Sequence, residues 1–145
     1  MELVKFSVPT TQKEQFIDIT ARVQEAAARA GLKSGAVVVF APHTTAAVTI
    51  NENADPDVVH DVLFALDHAF PDHRQFRHSE GNSTAHVKSS VVGCSLTVIV
   101  ENGRLALGTW QGIYFCEFDG PRTRSCWVKC LRGSPDATLS DNPHR

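Results

Sequence analysis

The chain has 145 residues, enough for one domain with its own core, and is 42% hydrophobic against 21% charged. Its 14 Lys and Arg against 16 Asp and Glu leave a formal charge of −2, which argues against a nucleic-acid binder relying on a broad basic surface. No apolar run approaches the ~20 residues of a membrane helix, and Met1 to Phe6 lacks a signal peptide's basic-then-apolar pattern, so a cytoplasmic protein is expected.

Leu3 to Val8 reads as an opening strand, followed by a short one from Gln15 to Ile19. Thr20 is placed to cap a helix over Ala21 to Ala30, with Val23, Ala26, Ala27 and Ala30 at helical spacing and Gly31 as its stop. Ala36 to Ala41 suits a central strand, Pro42 breaks it, and Ala46 to Ile50 is extended again. Asp55-Pro56 is a helix start, a carboxylate cap followed by proline at the first helical position, and Pro71 ends that helix. An apolar stripe runs along it through Val58, Val59, Val62, Leu63, Leu66, Ala69 and Phe70. A polar stretch from Asp72 to Gly81 leads to a third helix, capped by Asn82 or Ser83 and stopped by Gly93.

From there the pattern is β. Cys94 to Glu101 and Arg104 to Leu107 flank Asn102-Gly103, the favoured two-residue hairpin turn. Trp110 to Phe118 and Arg124 to Leu131 complete the set around the turn at Asp119-Gly120-Pro121. One domain over residues 1–132 is expected, with 133–145 a flexible polar tail. The four cysteines, Cys94, Cys116, Cys126 and Cys130, form no Cys-x-x-Cys pair. On a strand, Cys126 and Cys130 stand about 13 Å apart, too far to share an ion, so buried thiols acting as small hydrophobes are expected.

The histidines are the most informative residues. His43 follows a strand break, while His78 and His86 flank Glu80-Gly81-Asn82 at a helix start. Free amides and the positive end of a dipole at that start suit phosphate or carboxylate, and they keep His86 neutral. His-x7-His is not a standard zinc spacing, and local hydrogen bonding by His78 and His86 is the bland alternative. Asn51-Glu52-Asn53-Ala54-Asp55 presents amide and carboxylate oxygens at a strand end, of which only Asp55 is needed as a cap. Gly108-Thr109-Trp110-Gln111-Gly112 allows close approach of a ligand, or is a sheet kink around a buried Trp110. Arg122 and Arg124 could clamp an anion, and Lys88 could reach a phosphate if it faces Asn82; solvated surface is the commoner outcome for each. No P-loop, Rossmann glycine pattern or Gly-x-Ser-x-Gly elbow is present.

Four blocks together resemble the YjbQ family, also labelled secondary thiamine-phosphate synthases. They are His43-Thr44-Thr45-Ala46 with Thr49 to Asp55, His60-Asp61, Glu80-Gly81-Asn82 with Ala85 to Ser90, and Leu107 to Ile113. The resemblance covers residues 3–131 and implies an α+β fold, mainly an antiparallel β-sandwich with jelly-roll character flanked by about three helices. It also implies a homotrimer, and an activity joining hydroxymethylpyrimidine diphosphate to thiazole phosphate with release of pyrophosphate. Residue by residue, His43, Glu52, His86 and Lys88 are then expected to be catalytic. Asn51, Asn53, Gly81, Asn82 and Gln111 would bind substrate, and His43, His78 and His86 would hold a divalent ion, zinc or magnesium. A metal-dependent hydrolase of a small phosphorylated or amide metabolite, or a non-enzymatic binder of small anions, are the competing readings.

Overall fold

The computed structural model describes residues 1–134, so the expected tail lies outside the described residues except for its first two positions. Eight strands and three helices follow in the order β1 (Leu3–Pro9), β2 (Gln15–Asp18), α1 (Thr20–Arg29), β3 (Gly35–Phe40), β4 (Ala46–Glu52), α2 (Pro56–Ala69), α3 (Ser83–Val92), β5 (Ser95–Glu101), β6 (Arg104–Leu105), β7 (Gln111–Glu117) and β8 (Thr123–Arg132). They form a five-stranded sheet, β1-β8-β3-β5-β6, and a three-stranded sheet, β2-β7-β4, with every pairing antiparallel. This is the expected α+β architecture.

Alternation in the strands decides what each face buries. From β3, β5 and β8, Val37, Val39, Val98, Val100, Cys126, Val128 and Cys130 point into a core shared with Val48, Ile113 and Phe115 of the smaller sheet and Val23, Ala26 and Ala27 of α1. The opposite face of the smaller sheet carries Ala47, Tyr114, Cys116 and Phe118, covered by Ala85 and Val92 of α3 and by Val59, Leu63 and Leu66 of α2. β7 is therefore buried on both faces.

Asn102 and Gly103, with φ of 51° and 75°, make the β5–β6 turn in the left-handed region as expected. Asp55 caps α2 by accepting from the Asp57 amide. Thr20 departs from its expected role: it opens α1, and its hydroxyl bonds Asp18 while accepting from the Ile113 amide, so it ties helix to sheet. β7 starts one residue late, which leaves Trp110 63% exposed instead of buried in a kink. Cys94 is also exposed, in contrast to the other three thiols, because it lies at the rim where α3 turns into β5.

Candidate functional site

Pro42 sets up the site. β3 pairs with β8 as far as Phe40 opposite Trp127, and Pro42 has no N–H to continue the ladder. The His43 side chain fills the gap, with Nε2 2.9 Å from the Ser125 amide nitrogen and 3.1 Å from its carbonyl oxygen. The amide must donate, so Nε2 accepts and Nδ1 carries the ring hydrogen. Burial and the nearby Arg124 charge both push the His43 pKa down, which keeps the ring neutral.

His78 and His86 arrive from the polar loop and the first turns of α3, and their rings meet edge to face with centroids 5.2 Å apart. All three histidines line one cavity of about 440 Å³, together with Thr45, Glu80, Asn82, Asp119, Arg122 and Arg124. Distant segments thus converge beside the start of α3. Asn82 occupies the cap position of α3 without capping it; its Nδ2 donates to Asp119 at 2.8 Å, a partner absent from the sequence expectation. Gly81, at φ +74°, makes the turn between Glu80 and Asn82 and has only backbone to offer a ligand.

Arg124 is the most deeply buried charged group lining this cavity. It is only 4% exposed, yet it lines the cavity. Its Nε and Nη2 are bound to the fully buried Glu117 and to the Thr45 carbonyl and hydroxyl. Its Nη1 has no partner among the described residues. Burial alone would raise the Glu117 pKa, but hydrogen bonds from Arg124, Thr10 and the Asp119 amide outweigh it and hold the carboxyl below its usual range. Arg122, by contrast, is spent on Asp119, through Nη2 at 3.1 Å and Nε at 2.9 Å. In the sequence the two arginines read first as solvated turn residues and second as a clamp; Glu117 and Asp119, which hold them, were not legible, because nothing local distinguishes a buried strand glutamate from a surface one.

Among the described residues, no three His, Cys, Asp or Glu side chains are arranged to hold one ion. With its Nδ1 protonated, His43 offers a hydrogen rather than a lone pair. The expected ligand set His43, His78 and His86 shares one cavity.

The other expected residues lie elsewhere. Asn51, Glu52 and Asn53 sit at the far end of β4, roughly 20 Å of strand from His43. There Asn53 donates to Asp18, Tyr114 donates to the Glu52 carbonyl, and Gln111 accepts from the Gly108 amide. A Cβ on Gly112 would come within 2.5 Å of the Asn53 amide, so this glycine lets the Asn53 side chain pack directly on β7. Within one chain these contacts lock β2, β4 and β7 together and do not face the histidines.

Lys88 also corrects its expectation. It is 1% exposed and its Nζ reaches Glu14 at 2.6 Å and Asp67 at 3.0 Å, fastening α3 to α2 and to the segment before β2. Burial works against its charge, but these two carboxylates outweigh it and raise the Lys88 pKa. Lys88→Ala should lower unfolding free energy by about 2–3 kcal/mol in a urea titration, through lost packing and lost charge-assisted hydrogen bonds.

Two packed antiparallel sheets with three helices and a histidine- and arginine-lined cavity at one end define a small α+β protein. The family profile described as UPF0047 protein YjbQ-like matches residues 4–133. YugU of Bacillus subtilis is 56% identical over 89% of this chain and 98% of its own length, and MJ1081 of Methanocaldococcus jannaschii is 50% identical over 89% and 94%. A crystal structure of a YjbQ/UPF0047 family protein from Clostridium acetobutylicum superposes with a TM-score of 0.86 at 55% identity, covering 88% of this chain and 99% of that one. The chain belongs to the YjbQ/UPF0047 family.

Proposed function

We propose that the cavity binds a phosphorylated metabolite and that the protein is a transferase of the thiamine-phosphate synthase type. The observation that carries this reading is Arg124, a buried guanidinium with an unpartnered Nη1 in a cavity lined by three histidines. In the proposed reaction the bond from the pyrimidinylmethyl carbon to a diphosphate oxygen breaks, and pyrophosphate leaves with the electron pair. A bond from that carbon to the thiazole nitrogen forms. Negative charge grows on the departing oxygens, and Arg124 Nη1, His43 Nδ1–H and the amides opening α3 are fixed donors for it. A divalent cation enters this reading only as counter-ion of the diphosphate substrate, held by its phosphoryl oxygens.

The purified protein, given both precursors, is expected to form thiamine phosphate above a no-enzyme control. Failure to do so, while pyrophosphate still binds, would make the protein a small-anion binder instead.

The homotrimer belongs to the same proposal, as does a cytoplasmic location. No described helix is long and apolar enough to cross a membrane. Support for assembly comes from α2, none of whose residues is buried despite its apolar stripe, and from Phe64 and Trp110 at 68% and 63% exposure. Sedimentation should give three times the chain mass; a monomer would refute it.

A further inference from the structure

The five-stranded sheet fills the core with one face only. Its inward side chains meet α1 and the smaller sheet, whose own far side is covered by α2 and α3. The outward side chains are the alternate set on each strand. Pairing places Lys5 beside Trp127 and Phe40, and Lys129 beside Leu3 and Val38. Ile99 and Leu131, at 64% and 48% exposure, continue this apolar surface. A sheet face left to water ordinarily carries polar residues, and this one carries branched and aromatic ones. Across β1, β8 and β3 its charged side chains are Lys5 and Lys129, both cations. Lys5 is held over the Trp127 ring, 4.6 Å from the centroid.

α2 offers the opposite charge. Asp57, His60, Asp61, Phe64 and His68 recur at three- and four-residue steps, so they form one ridge, and all five are exposed. Asp57 and Asp61 stand one helical turn apart, about 6 Å. Lys5 and Lys129 are diagonal neighbours across the β1–β8 pair, about 7–8 Å apart. The two pairs match in spacing as well as in sign.

We infer that the α2 ridge of one copy docks on the outward sheet face of the next, with Asp57 and Asp61 meeting Lys5 and Lys129 and Phe64 entering the apolar surface. Sheet against sheet would oppose lysine to lysine, and ridge against ridge would oppose aspartate to aspartate. The contact therefore joins two different faces, and each copy carries one of each, which is the arrangement that closes into a ring. The inference rests on the homotrimer proposed above and adds the two faces that build it.

Sedimentation of the full-length chain and three variants tests this. Lys5→Glu/Lys129→Glu makes the sheet face acidic, and Asp57→Lys/Asp61→Lys makes the ridge basic. Each should weaken assembly at least about a hundredfold, because like charges then face each other across the contact. All four positions are exposed, so native circular dichroism is expected throughout. The chain carrying all four substitutions has both signs reversed and should return to the trimer. Trimers that survive either double variant would overturn the inference and leave the homotrimer standing on other faces. A folded fourfold variant that stays monomeric would overturn the charge pairing. A monomeric unaltered protein would overturn the inference and the homotrimer together.

Discussion

Glu117→Leu should cost about 3–5 kcal/mol of unfolding free energy, the range for stranding one member of a buried ion pair. Glu117 is fully buried and accepts from Arg124, from the Thr10 hydroxyl at 2.8 Å and from the Asp119 amide at 3.1 Å. Removing it leaves a guanidinium at 4% exposure with no counter-charge beneath it. The pH dependence follows in sign. Because the folded carboxyl titrates below its usual range, its contribution is complete above the ordinary carboxylate pKa and is lost as pH falls through the lowered folded value. Urea titrations at decreasing pH should therefore show the native protein losing stability faster than Glu117→Leu, and a parallel decline in both would contradict the pairing.

Arg124→Met should weaken pyrophosphate binding about ten- to a hundredfold, the worth of one or two hydrogen bonds to a charged ligand, as read by calorimetry. Lysine should not rescue it, since its donors sit on a single nitrogen and cannot span Glu117, Thr45 and the cavity as the planar guanidinium's separate nitrogens do. The double variant Glu117→Leu/Arg124→Met separates folding from function. An apolar pair of similar volume is expected to recover most of the stability lost in Glu117→Leu, yet to bind pyrophosphate no better than Arg124→Met. Recovery of binding with stability would place the anion site elsewhere.

The fold was largely legible because its signals are local. Asp55-Pro56, Asn102-Gly103 and the strand alternation each act over a few residues, and the structure follows all three. That His43, His78 and His86 share a cavity was implied only by the family resemblance; locally, a strand break, a polar loop and a helix start mark places where chains expose functional groups. The tertiary partners were hidden. Lys88 reads as a helix-surface cation, and only the fold shows that Glu14 and Asp67, far away in sequence, meet it under α3. Glu52, Asn53 and Gln111 have the residue types of a binding site, but the direction of β4 carries them to the opposite end of the sheet from His43. A loop's chemistry can be read locally; which end of a strand it occupies depends on register.

The most direct test is a crystal structure of the protein with pyrophosphate. A phosphoryl oxygen is predicted within hydrogen-bond reach of Arg124 Nη1, beside His43 Nδ1 and the start of α3. Pyrophosphate bound away from Arg124, or seated at the Asn53–Gln111 end of the sheet, would contradict it.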